Sequence, residues 1–378
     1  MKIAIDCADL DYARIDGTRV YIKNMLDRFG SLDGRSTFYL YHKSDFNKVL
    51  KPVFYQNYID RKIPYPWWWT QTRFAYELRA DRPHKCWMPI QQIPFIGPKE
   101  TKYIITIHDL AFKIFSGHFP RKDILKLNFF TDMAIKRADR IIAISQSTKK
   151  DILKFYPKTH KDKIIVIHHG FDQRLFSKQI SPDELLSVLK KHKIANSENE
   201  HRYLLYVGAI QPRKNLVTLL KAFEMIKRKE GFDDMKLVFA GEQAWLSKKI
   251  IQRIDNSSFT HDIIKTGKID FMELACLYRK AEIFVYPSLY EGFGIPILES
   301  FASETPVVVA DNSSLPEIGG DAVVKFSSLD SRELARILQN ILKHRTIREE
   351  MVKKGLERIK RFSWEKCAKN TLLAIKEA

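Results

Sequence analysis

Cysteine is scarce and scattered in this chain. Cys7, Cys86, Cys276 and Cys367 lie far apart in 378 residues, with no CxxC pair and no Cys/His cluster. That pattern excludes a zinc ribbon and the dense disulfide framework of small secreted domains, and it fits a reducing cytoplasm. Long apolar runs are missing as well. No stretch approaches the ~18 consecutive apolar residues of a spanning helix. The opening MKIAIDCADL is broken by Asp6 and Asp9, so it reads as a first buried strand and not as a signal peptide. Tandem repeats and low-complexity tracts are also lacking. Acidic residues are in deficit: 45 Asp and Glu stand against 64 Lys and Arg, a formal charge of +19. Such an excess draws nucleic acid, acidic lipid headgroups or phosphorylated substrates, although a lysine-rich solvated surface gives the same count.

What the sequence does contain is a rhythm. Apolar residues make up 45% and charged residues 29%, an ordinary globular mix. The length exceeds what one hydrophobic core usually serves, so two domains are expected. Short β-branched runs at 2–7, 37–43, 85–90, 103–109, 140–145 and 163–169 read as buried strands, with amphipathic stretches such as 20–29 and 124–137 between them. After a polar interval at 181–202 the rhythm restarts at 203–209, 236–241, 262–267, 282–288 and 306–311. Alternating strands and helices predict right-handed βαβ units and parallel sheets. The expected fold class is α/β, with two Rossmann-like doubly wound domains, residues 1–180 and 196–361, joined near 172–200. Open sheets of this kind bind ligands outside the carboxyl ends of their strands, and two of them would face each other across a cleft.

Two stretches carry chemistry. In EGFGIPILE, residues 291–299, a strand-like run ends at Pro287 and a turn with Gly292 and Gly294 follows. Pro296 then suits a first helical turn. Strand, glycine loop and helix together offer backbone N–H groups and the positive end of a helix to an anion or to sugar hydroxyls. Glu291 and Glu299 would stand at either end of a bound ligand. Taken alone, the stretch also fits a plain β-to-α turn with Glu291 in solvent and Glu299 on an exposed helix face. In YVGAIQPRKN, residues 206–215, a buried strand runs into Gly208, Pro212 sets a turn, and Arg213 and Lys214 precede a helix expected over 215–229. Two cations at a helix N-terminus oppose its dipole, and become favourable when a di-anion such as a diphosphate sits there. A solvated basic turn is the simpler alternative.

FAG (239–241), TGKI (266–269), LYRKAEIFVYPSLYEGFGIPILE (277–299) and TPVVVADNSSLPEIGGDA (305–322) follow in order. With YVGAIQPRKN they resemble the donor-domain motifs of glycosyltransferase family 4, the group 1 glycosyltransferases, which are retaining enzymes of the GT-B fold. The first half agrees: Gly17 in an early loop, HDL (108–110), IIAISQSTKKDI (141–152) and VIHHGFD (166–172). FSWEKCAKNTL (362–372) is similar to the family's closing helix, which crosses back and so places 362–378 with the first domain. The resemblance implies that Glu291 hydrogen-bonds the transferred sugar, with backbone N–H groups of Gly292, Phe293 and Gly294. It implies that Glu299 holds the ribose hydroxyls, and that Arg213 and Lys214, beyond Gly208, neutralise the diphosphate leaving group. The backbone of Gly267, Lys268 and Ile269 would contact the nucleobase. On the first domain, Gly17 would let its loop approach the diphosphate, and His108 would lie near sugar and acceptor. His108 or Asp109 would assist acceptor deprotonation or orient the acceptor. Two positions depart from the pattern. Ala209 stands where many relatives carry a basic residue, and Asp16-Gly17-Thr18 has one glycine where many have two.

What the resemblance implies overall is hexosyl transfer from a nucleotide diphosphate sugar to a glycan or lipid-linked acceptor, in surface polysaccharide or glycolipid synthesis. The stretch from His108 to Pro120 leans toward mannosyltransferase-like relatives and GDP-mannose. No DxD clamp is evident, since Asp233-Asp234 lies in a polar turn, so a metal-independent reaction without a cofactor is expected. A hydrolysing sugar-nucleotide epimerase on the same fold is opposed by the ordered motifs. A dehydrogenase would need G-x-G-x-x-G after a first strand, and a glycan phosphorylase a pyridoxal-phosphate lysine motif. No recognition module supports a nucleic-acid partner. His168-His169 reads as a turn rather than a metal pair, and Ser145 and Ser147 as hydroxyls at a helix start. Arg121–Arg140 is basic and amphipathic, and PYPWWWT (64–70) holds three adjacent tryptophans. Both fit core packing, and both fit peripheral contact of a cytoplasmic protein with an anionic membrane.

Overall fold

Continuous apolar runs form strands here because helices cover both faces of each sheet. The computed structural model describes residues 1–13, 15–195 and 201–378. They fall into two units, Met1–Gly170 with Phe362–Ala378, and Phe171–Arg361. The first unit contains β1 (Lys2–Asp6), β2 (Thr37–His42), β3 (Tyr58–Lys62), β4 (Lys85–Met88), β5 (Lys102–Ile107), β6 (Arg140–Ala143) and β7 (Ile164–Val166). They make one parallel sheet in the order β3-β2-β1-β4-β5-β6-β7. The second unit contains β8 (Tyr203–Val207), β9 (Lys236–Ala240), β10 (Ile263–Gly267), β11 (Ile283–Tyr286), β12 (Val307–Ala310) and β13 (Val323–Phe326). Their parallel order is β10-β9-β8-β11-β12-β13. The expected α/β class with two Rossmann-like sheets is what the chain adopts. Every residue of β8, β11 and β12 is buried. Strands β3 and β13 were not anticipated. β3 is an edge strand, YIDRK, whose only buried residue is Tyr58, and its charges mask the pattern.

In the first unit the helix Gly17–Leu32 buries Tyr21, Ile22, Met25, Leu26 and Phe29 along one stripe. The closing helix Trp364–Lys376 packs on it. Lys376 reaches Asp33 at 2.8 Å and Arg28 reaches Glu365 at 3.3 Å. Ser145 caps the helix Gln146–Phe155 by accepting the Thr148 N–H at 3.0 Å, as its residue type predicts. Gly170 lies against the start of the closing helix: a Cβ there would stand 2.1 Å from the backbone nitrogen of Trp364. Gly170→Ala is expected to destabilise the first unit by roughly 2–4 kcal/mol through backbone displacement. Denaturant unfolding checks this; an unchanged midpoint would mean the helix gives way freely.

Residues 171–180, read from sequence as the end of the first domain, belong to the second unit. Phe176 is 2% exposed and packs on Tyr278 at 5.8 Å, and Arg279 donates to its carbonyl oxygen at 3.3 Å. The start assigned to the second domain, residue 196, lies outside the described residues. Among the described residues no helix is long and apolar enough to cross a membrane.

Candidate active site

Strand order decides which loops meet. In the second unit the chain runs from β8 outward through β9 and β10, then returns to the other side of β8 for β11, β12 and β13. The connections that leave the carboxyl ends of β8 and β11 therefore head to opposite sides of the sheet, the position where open sheets bind ligands. Those two loops hold YVGAIQPRKN and EGFGIPILE.

The loops are tied together by hydrogen bonds and charge. The Leu289 N–H donates to Arg213 O at 2.8 Å, and Asn215 Nδ2 donates to Pro287 O at 3.0 Å. Lys214 Nζ lies 2.5 Å from Glu291 Oε1 and 3.3 Å from Tyr286 Oη. Arg213 Nη1 lies 3.2 Å from Glu291 Oε2 and also donates to Tyr290 O. Glu291 is 8% exposed and Lys214 7%, so neither the solvated glutamate nor the solvated basic turn describes this protein. Burial raises the Glu291 pKa, but the charges of Lys214 and Arg213, with the hydrogen bond from Lys214, outweigh it and hold the carboxyl at about 2. Two cations thus converge on one carboxylate at this point of the fold.

Local backbone geometry sets these side chains. Pro212–Lys214 is a single 3-10 turn, and Asn215 stands at φ +55°, so the helix runs Leu216–Lys227 instead of beginning at 215. Asn tolerates that left-handed conformation. Gly208 has φ +140°, and a Cβ there would meet Tyr206 Oη at 2.8 Å. Only glycine turns the chain so sharply at the end of β8. Gly294, at φ +114°, caps the helix Ile295–Ala302, which has Pro296 in its first turn as expected. Phe293 is 4% exposed and faces inward. The loop is held from the β12 side: Ser313 Oγ accepts the Glu291 N–H at 3.0 Å, and Ser314 Oγ lies 2.9 Å from Glu291 O and 2.6 Å from Phe293 O.

Glu299 is half-buried on its helix, not fully exposed. Burial raises its pKa to about 7; the Tyr278 hydroxyl, donating to Oε2 at 3.1 Å, opposes the shift, and the charge of Asp172 adds to it. Gly267 ends β10 at φ +70°, Lys268 is exposed and Ile269 half-buried. β10 is the sheet edge, so these three stand two strands from β8, away from the ion-paired group.

In the first unit the same reversal falls between β1 and β4. His108 follows β5, and its Nε2–H donates to Pro89 O, just after β4, at 2.9 Å. Burial lowers its pKa, so the ring is neutral with Nδ1 as its basic nitrogen. Asp109 Oδ1 accepts the Ala111 N–H at 3.0 Å, committing one oxygen to the turn. Gly17 is the exposed first residue of its helix, and Asp16 caps that helix by accepting the Arg19 N–H at 3.2 Å. His169, 3% exposed, stacks on Tyr21 at 4.6 Å and packs against Trp364 at 5.6 Å. It is part of an aromatic core, in keeping with a structural turn. Among the described residues no three His, Cys, Asp or Glu side chains gather as metal ligands would.

Residues 187–358 match the family described as Glycosyl transferases group 1, and residues 15–175 match Glycosyltransferase Family 4. The chain belongs to the group 1, family 4 glycosyltransferases. This glycosyltransferase is 29% identical to the O-antigen chain mannosyltransferase B of Escherichia coli, over 72% of its own length and 70% of that protein. It is 28% identical to the O-antigen chain mannosyltransferase RfbU of Salmonella typhimurium, over 63% of this chain and 60% of that one. Its fold matches Anabaena Alr3699/HepE, solved with UDP-glucose, with TM-score 0.76 over the full length of both chains at 15% identity. That likeness carries the GT-B fold.

Sequence reasoning missed four members of the glycosyltransferase's second-unit site. Ser313 and Ser314 lie inside the quoted TPVVVADNSSLPEIGGDA, yet nothing in their spacing says that they hold the Glu291 loop. Tyr278 and Tyr286 read as core aromatics, which they are, and their hydroxyl contacts with Glu299 and Lys214 depend on strand order.

Proposed function

We propose that this glycosyltransferase moves a hexose, with retention, from a nucleotide diphosphate sugar to a glycan or lipid-linked acceptor in surface polysaccharide synthesis. GDP-mannose is the favoured donor, supported by the names of the two O-antigen mannosyltransferases it resembles. The observation that carries the reading is the Arg213–Lys214–Glu291 group, two cations and a carboxylate brought together at the strand-order reversal. The transition state is oxocarbenium-like, and negative charge grows on the departing diphosphate. Arg213 and Lys214 stabilise that charge, already held in place by Glu291 and so needing little reorganisation. Glu291 and the N–H groups of residues 292–294 hold the sugar; Glu299 accepts from the ribose hydroxyls; the backbone of residues 267–269 takes the base. His108, neutral with a basic Nδ1, serves the acceptor hydroxyl; Asp109 orients that loop, and Gly17 leaves room for phosphate. No step in this scheme requires a metal.

A panel of GDP-, UDP- and dTDP-sugars tests the proposal through thermal shift and slow donor hydrolysis. One donor should stabilise the fold by mass action. Absence of stabilisation and of hydrolysis across the panel would overturn it.

Glu299 adds a pH dependence. Its folded pKa of about 7 lies above its ordinary value of 4.5, so without ligand this group costs stability as pH rises from 4.5 toward 7. Ribose hydroxyls favour the ionised form. Donor affinity should therefore tighten by up to about tenfold between roughly pH 6 and pH 8, measured by calorimetry. Glu299→Gln should flatten that dependence.

A further inference from the structure

The three adjacent tryptophans divide. Trp69 is 3% exposed, stacks on Phe74 at 5.1 Å and donates its indole N–H to Ile63 O at 2.9 Å. It anchors the turn in the core. Trp67 and Trp68 are 72% and 65% exposed, and Trp68 adopts φ +47°, a conformation few bulky residues take. Thr72 Oγ1 donates to the carbonyl oxygens of both at 3.1 Å, so the outward turn is fixed.

This turn continues into a second apolar region. Gln71 Nε2 donates to Ile93 O at 3.2 Å, and Gln71 Oε1 accepts the Phe95 N–H at 2.6 Å. From the far side, Arg137 Nη1 donates to Pro94 O at 2.6 Å and to Phe95 O at 2.9 Å. The Phe95 ring packs on Phe129 and Phe130, each at 5.8 Å. Gln71 and Phe95 thus link the tryptophan turn to the helix Arg121–Arg137 within the first unit. None of residues 121–130 is buried. Leu125 is 72% exposed and Phe129, one turn on, 58%; Ile96, which follows Phe95 in the chain, is 60% exposed. Exposed apolar groups gathered in this way mark a contact surface.

Charge identifies the contact. Arg121, Lys122 and Lys126 flank the apolar residues, are exposed, and form no ion pair among the described residues; Asp123 is the one acid in that half of the helix. Protein interfaces are depleted in lysine. Indoles and a lysine-rich amphipathic helix are what a headgroup region attracts. We propose that this face docks reversibly on an anionic phospholipid bilayer, with Trp67, Trp68, Leu125 and Phe129 at the headgroup–acyl boundary and Arg121, Lys122 and Lys126 on lipid phosphates. The inference stands independently of the donor site.

The test uses the full chain and two kinds of vesicle, phosphatidylcholine alone and phosphatidylcholine with about 30% phosphatidylglycerol. Cosedimentation at moderate salt should give at least about tenfold stronger binding to the anionic vesicles, weakening as salt rises. Trp67→Ser with Trp68→Ser, and separately Leu125→Ser with Phe129→Ser, should each lower that binding by about tenfold or more. Lys122→Glu with Lys126→Glu should remove the anionic preference. These positions are exposed on separate elements, and an unchanged melting temperature verifies each fold. Equal binding to both vesicles, or wild-type binding by the apolar variants, would overturn the proposal. So would dimerisation through this face, abolished by the same variants, in a chain that ignores vesicles.

Discussion

Glu291→Gln should lower the transfer rate by a factor on the order of 10²–10³. The amide keeps the shape of the side chain but presents one oxygen where the carboxylate presents two. It turns an NH2 toward Lys214 or Arg213, so one buried cation loses its partner. Breaking a buried pair in this way costs roughly 3–5 kcal/mol of stability, so turnover must be read well below the variant's melting temperature. The acid limb separates the two effects. In the parent the folded pKa of about 2 lies below the ordinary 4.5, so the stability this group contributes is fully present above pH 4.5 and is lost as pH falls toward 2. The Gln variant should lack that part of the acid-unfolding profile. A variant that transfers sugar at the parent's rate would remove Glu291 from the chemistry.

Lys214→Ala should weaken donor binding by roughly 10- to 100-fold, and Arg213→Ala by a similar factor, because each removes a charge-assisted hydrogen bond to the diphosphate. The geometry adds a second consequence. Lys214 is the foremost charge holding the Glu291 carboxyl down against burial. Without it the carboxyl pKa climbs, and the acid limb of the transfer rate moves to higher pH. A pH–rate profile of Lys214→Ala checks this, with Arg213→Ala showing a smaller displacement in the same direction. If both variants bind donor as the parent does, the loop does not hold the diphosphate.

The strands of both sheets were legible where burial on two faces leaves an uninterrupted β-branched run, as in β8, β11 and β12. They were illegible where an edge position admits charge, as in β3. The site was legible as two motifs with unknown relation. Residues 213 and 214 carry positive charge and residue 291 negative charge in any reading; that they meet follows from the chain passing back from β10 over β9 and β8, so that β11 pairs with β8. Periodicity says nothing about such a neighbour. The division among Trp67, Trp68 and Trp69 was hidden for a related reason: three identical residues in a row have no pattern, and only the backbone turn decides which ring faces the core.

The closing helix has a consequence for synthesis. The first unit's sheet is complete once Gly170 has been made, but Cys367, Ala368, Leu372 and Ile375, all buried, reach it from residues 364–376. During translation the helix Gly17–Leu32 must wait, its partner absent, while the entire second unit emerges. Contacts of that sequence separation are slow to form, and an uncovered apolar surface on a nascent chain invites chaperones or aggregation. Loss of the last dozen or so residues would therefore injure the half of the protein made first and spare the half made second.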